Sequence, residues 1–156
     1  MKVNLKDSAG VDAPKTARRL PKDSYTLRIL NEPTFQLTRK DDEPMYVFEL
    51  ELIAPEEMEI DGEMQKISGK KFRLWAPLAK GKNFSLLGLH EVLGLPAEFD
   101  TDDETSLPLG FTYAGAEVRA VCSATEVSMK NEKGEDIIGS DGEPVKEYNT
   151  NIVRFI

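Results

Sequence analysis

A chain of 156 residues, 40% hydrophobic and 31% charged, is long enough for one domain with a sizeable core, and its composition is that of a soluble globular protein. The net charge of -8 argues against a simple basic DNA binder, no apolar run approaches the length of a bilayer span, and a single cysteine, Cys122, excludes an intrachain disulfide. Residues 1–7 lack the apolar core of a signal peptide, so the cytoplasm is the expected compartment.

The charge is arranged in blocks. Residues 1–40 carry nine bases against four acids, residues 41–63 ten acids and no base, residues 64–90 six bases and no acid, and residues 91–117 seven acids and no base. Such alternation means that local potential matters more than the total.

Residues 1–20 mix Lys, Asp, Gly, Ala, Pro and Arg without periodicity, which predicts a mobile arm ending at Arg18 and Arg19, followed by one domain over 21–156. Residues 25–30 then alternate as a strand with Arg28 outward, and the pattern continues to Phe35 past a bend or bulge at Pro33. A polar loop with Arg39 and Lys40 leads into a second strand over 46–53. That strand sends Tyr46, Phe48, Leu50 and Leu52 to one face and Val47, Glu49, Glu51 and Ile53 to the other. Pro55 ends it, and Asp61-Gly62 marks a turn before the third strand.

The third strand, over residues 66–77, holds the only Trp. It places Phe72, Leu74 and Ala76 on one face and Lys71, Arg73 and Trp75 on the other. A flat ring beside two cations suits an unpaired base and its phosphate; the plainer alternative is a packed Trp among solvated cations. From Asn83, a plausible N-cap, the spacing of Phe84, Leu86, Leu87, Leu89, Val92, Leu93 and Leu95 predicts a helix stopped by Pro96, with an apolar face wide enough to plug a small barrel.

Residues 100–104 read as an acidic loop. Residues 117–129 alternate as a fourth strand, with Val118, Ala120, Cys122 and Ala124 inward and Arg119 outward. Residues 130–148 are rich in charge and turn formers and read as a long mobile loop holding Lys130 and Lys133. Residues 150–156 complete a fifth strand, with Arg154 on one face and Val153 and Phe155 on the other.

Phosphate-binding loops, dinucleotide fingerprints and His/Cys metal clusters are absent from the sequence, so neither an enzyme nor a cofactor is expected. His90, the only histidine, reads as a polar helix position and not as a general base. Asp136, Asp141 and Glu147 do not match the spacing of a calcium loop, and Asp102-Asp103-Glu104 reads as a solvated loop or a contact for a basic partner.

Three strands, a helix and two strands is the order of a five-stranded OB-fold barrel. Within it, Leu20-Pro21 leads into Tyr25-Thr26-Leu27-Arg28-Ile29. Pro44-Met45-Tyr46-Val47-Phe48-Glu49-Leu50-Glu51 follows, then Gly69-Lys70-Lys71-Phe72-Arg73-Leu74-Trp75, and a Leu-rich helix ending Leu93-Gly94-Leu95-Pro96. On these features the chain resembles small phage-encoded single-stranded DNA-binding proteins. The resemblance implies ssDNA lying across the second and third strands, touching Arg39 and Lys40, then Lys71, Arg73 and Trp75, then Lys130 and Lys133. The outward cations Arg28, Arg119 and Arg154 join these as candidate nucleic-acid-binding residues. The expectation is therefore a non-catalytic protein protecting ssDNA in replication, recombination or repair, in the host cell cytoplasm. Replication or recombination proteins are its expected further partners, and it would use no metal, cofactor or membrane. The rival expectation is an OB-fold protein-interaction or virion-associated module that binds no nucleic acid.

Overall fold

A computed structural model describes residues 17–99 and 111–156, so the predicted arm is seen only at its end and the acidic loop over 100–104 lies outside the described residues. The fold is mainly β, an antiparallel sheet with one helix. Its elements are β1 (Asp23–Ile29), β2 (Thr34–Leu37), β3 (Pro44–Ala54), β4 (Glu57–Ile60), β5 (Glu63–Lys66), β6 (Lys71–Pro77), α1 (Phe84–Leu93), β7 (Glu117–Ser128) and β8 (Lys146–Phe155).

β3 organises the sheet. Its outer half pairs with β2 and its inner half with β1, while β6 runs along its other side in unbroken register from Met45↔Pro77 to Glu51↔Lys71. β1 and β2 thus follow one line with a break before the buried Pro33, where Leu30 N–H still donates to Glu49 C=O at 2.9 Å. β7 pairs with the far side of β1, and β8 with β7. The inward side chains Tyr25, Leu27 and Ile29 of β1, Tyr46, Phe48, Leu50 and Leu52 of β3, and Val118, Ala120 and Cys122 of β7 are all buried, as a two-residue period requires.

The structure corrects the five-stranded closed barrel. Eight strands are present among the described residues, and the main sheet does not close, because β6 and β8 run near each other without ladder hydrogen bonds. α1 lies against both of them, across the seam; a Cβ on Gly88 would stand 3.6 Å from the Phe155 ring. The third strand is also interrupted. Residues 57–66 form the separate hairpin β4–β5 about the Asp61-Gly62 turn, where both residues have positive φ, and β6 restarts only after Gly69.

Several further expectations change. Gly94 in a left-handed conformation, not Pro96, ends the helix, and Asn83 holds the N-cap position without a side-chain capping bond. Within the predicted arm, Ala17 and Leu20 are core residues, tied down by Ala17 N–H donating to Lys66 C=O at 2.8 Å. Val153 and Phe155 do not share a face. A bulge opposite Val121 and Cys122 shifts the register of β8, so Ile152 and Phe155 pack on the core while Val153 is 50% exposed.

The predicted long loop over 130–148 is paired instead. β8 begins at Lys146, and before it Met129 N–H donates to Val145 C=O, Val145 N–H to Ile137 C=O, and Ile137 N–H to Met129 C=O. Three segments therefore close a triangle of backbone bonds at the end of the β7–β8 arm. Among the described residues no helix is long and apolar enough to cross a membrane.

Candidate functional site

The outward face of the sheet can be built row by row from the strand register. Trp75 stands opposite Val47, which stands opposite Thr34; Arg73 stands opposite Glu49; and Lys71, Glu51, Arg28 and Glu117 form one row across β6, β3, β1 and β7. Alternation along β6 is strict: Leu74 is 7% exposed and Ala76 fully buried, while Trp75 between them is 52% exposed. The ring therefore belongs to the solvent face, and the buried Val47 lies beside it on that face.

Acids interleave with the cations. Arg28 Nη2 donates to Glu117 Oε1 at 2.9 Å, and Arg73 Nη2 stands 3.9 Å from Glu49 Oε1, whose other oxygen accepts from Asn31 Nδ2 at 3.1 Å. All of these groups are about half solvated, so each pair contributes about 1 kcal/mol or less. Arg119 donates to Ser24 Oγ at 3.2 Å, and Arg154, opposite Val121, is exposed.

Arg39 and Lys40 occupy the β2–β3 turn, which is held by Thr38 N–H donating to Glu43 C=O at 2.8 Å and Asp42 N–H to Thr38 C=O at 3.0 Å. Lys82 Nζ reaches Glu43 at 3.1 Å and Asp41 at 3.4 Å, joining this turn to the segment before α1; the two carboxylates, Glu43 foremost, hold the ammonium above its ordinary pKa. Lys130 is paired with Asp136, and Lys133 sits on the following turn. Since β7 runs antiparallel to β1, that tip lies at the opposite end of the sheet from Arg39 and Lys40. Six of the ten candidate residues thus share one face, and the other four divide between its two ends.

His90 corrects the sequence reading. It is buried at 1% exposure, with Nδ1 2.7 Å from Pro96 C=O and Nε2 2.7 Å from Tyr113 Oη. A carbonyl only accepts, so Nδ1 carries the hydrogen, and a neutral ring takes the Tyr113 hydroxyl at Nε2. Burial, with smaller contributions from Tyr46 and Glu32, raises the Tyr113 pKa. Phe99, Phe111 and Tyr113 surround the imidazole at centroid distances of 5.1, 5.3 and 5.7 Å, making it a structural member of an aromatic cluster. An open cavity of about 660 Å³ beside it, lined by Leu78, Leu86, Leu87 and Phe99, lies against α1 and not on the sheet face.

Two features escape sequence reasoning. Glu117 is the partner of Arg28 across 89 positions, which no local pattern reveals. Phe84, read as part of the apolar helix face, is 71% exposed; its place in the first turn, ahead of the buried Leu86 and Leu89, was the available signal. Among the described residues no group of three His, Cys, Asp or Glu side chains is placed to hold a metal ion. Comparison with known proteins gives no matching family model, curated protein or solved structure.

Proposed function

We propose that the chain is a non-catalytic single-stranded DNA-binding protein of OB-fold type, with its ligand lying across the outward face of β3 and β6, serving phage replication, recombination or repair. The observation that carries this reading is Trp75, half exposed between two buried neighbours and aligned with Arg73 and Lys71. An exposed indole offers a stacking surface to any base, and cations around the face can neutralise the phosphates of the strand. The connectivity supports it too. A bent first strand, two further strands, a helix and a final pair follow the OB order, left open at the β6/β8 seam.

Because Trp75 is the only tryptophan, its fluorescence reports directly on the face. Titration with oligo-dT should quench it at lower concentrations than duplex DNA does, and affinity should fall as salt rises. Equal affinity for the two forms, or a salt-independent complex, would overturn the proposal. The second reading, a protein-interaction or virion-associated module, is favoured by the acids paired with Arg28 and Arg73. It is adopted if neither nucleic acid changes the fluorescence.

A further inference from the structure

The outward face has a feature that a plain basic groove lacks. Lys71, Glu51, Arg28 and Glu117 alternate in sign across four adjacent strands, and Arg73 and Glu49 repeat the pattern one row on. Strands lie about 4.8 Å apart, so every cation on these rows has a carboxylate within about one strand spacing. Arg28 and Arg73 are directly engaged by Glu117 and Glu49. Three acids against three bases leave these two rows neutral. By contrast Arg39 and Lys40 at one end of the sheet, and Lys133 at the other, have no acid partner among the described residues.

We infer that Glu49, Glu51 and Glu117 are specificity residues that set the choice of single-stranded over duplex DNA, admitting bases to the sheet face and confining phosphates to its rim. This rests on the DNA-binding reading above. A carboxylate only accepts hydrogen bonds, so it repels phosphate but tolerates the N–H donors that every base carries on its pairing edge. A duplex hides those edges and presents phosphates outward, so its approach to this face sets phosphate against carboxylate. A single strand can turn its bases inward onto Trp75 and direct its phosphates to Arg39, Lys40 and Lys133. The acids thus add little against the correct ligand and a penalty against the wrong one.

The test compares Kd values for oligo-dT and for a duplex of equal length, at one salt concentration, in wild type and in a Glu49→Gln/Glu51→Gln/Glu117→Gln variant. All three side chains are at least partly solvated, and thermal melting verifies that the variant is folded. A second variant, Glu57→Gln/Glu59→Gln/Glu63→Gln, removes the same charge from the exposed positions of the β4–β5 hairpin. The face variant should bind duplex about tenfold or more tighter and oligo-dT within about threefold of wild type, narrowing the preference; the hairpin variant should leave the ratio unchanged. An unchanged ratio in the face variant, or equal narrowing in both variants, would overturn the inference while leaving ssDNA binding standing. A wild-type protein that binds neither nucleic acid would overturn both.

Discussion

The two faces of the sheet handle polar groups in opposite ways. On the inner face every buried polar atom has a specific partner: His90 between Pro96 and Tyr113, and the Tyr25 hydroxyl on Pro21 C=O at 2.6 Å, with no buried side-chain nitrogen or oxygen left unpaired among the described residues. On the outer face, charges sit in half-solvated pairs 2.9 to 3.9 Å apart, and a large aromatic ring is left uncovered. Burial without a partner is expensive, whereas a solvated ion pair can open at little cost. The inner face therefore resists rearrangement, and the outer face can exchange internal contacts for those of a ligand.

The contrast breaks most visibly at Phe48, fully buried with its ring 5.2 Å from Tyr113 in an edge-to-face arrangement. Phe48→Ala should cost about 3–5 kcal/mol of folding stability, read from the urea midpoint. A loss near zero would mean that the inner face is not the stabilising one.

Trp75→Ala should show the reverse. Its affinity for oligo-dT should fall by the equivalent of about 1–3 kcal/mol, roughly fivefold to over a hundredfold. Its melting should reflect a loss of no more than about 1 kcal/mol. A large loss of stability, or unchanged affinity in a folded variant, would remove Trp75 from the binding face.

The smallest effect concerns the Tyr25 hydroxyl. Burial first, then the charge of Asp23, raises its pKa from 10.0 to about 12, and burial moves the Cys122 thiol from 9.0 to about 11. Both groups are held in their neutral forms by folding. Their contributions are complete below the unfolded values and are lost as pH rises through the folded ones, so stability should decline from about pH 9 toward pH 12. Tyr25→Phe should cost about 0.5–1.5 kcal/mol at neutral pH and flatten part of that decline, measured by urea melts across the alkaline range. An unaltered pH profile would show that Tyr25 does not titrate with unfolding.

What the sequence revealed and what it hid follow from range. β3, β6 and the start of β7 were legible because one buried face imposes a period of two on Tyr46 through Leu52, on Phe72 through Ala76 and on Val118 through Cys122. The outward direction of Trp75 follows from the same local rule. β4 was missed because Glu57, Met58 and Glu59 carry little apolar signal, and its hairpin is closed by turn geometry at Asp61 and Gly62. The bulge at Val153 and the pairing of Arg28 with Glu117 depend on which strands become neighbours, and that information lies in no single window. The burial of His90 is hidden from local pattern for a related reason: it comes from Phe99, Phe111 and Tyr113, of which two lie beyond the helix and its connection.

The place of β1 between β3 and β7 also bears on how the chain is made. β3 follows soon after β1 and can pair with it, and β6 can then pair with β3, but β7 begins at Glu117, 89 positions after its partner Arg28. At a synthesis rate of about 5–20 residues per second, β1 waits roughly 5–20 s with one edge unpaired. During that interval the inward side chains Tyr25, Leu27 and Ile29 lack the cover that β7 will bring, and the open edge is a template for any other nascent strand nearby. Until residues 117–122 have been made, one edge of this central strand therefore stays open.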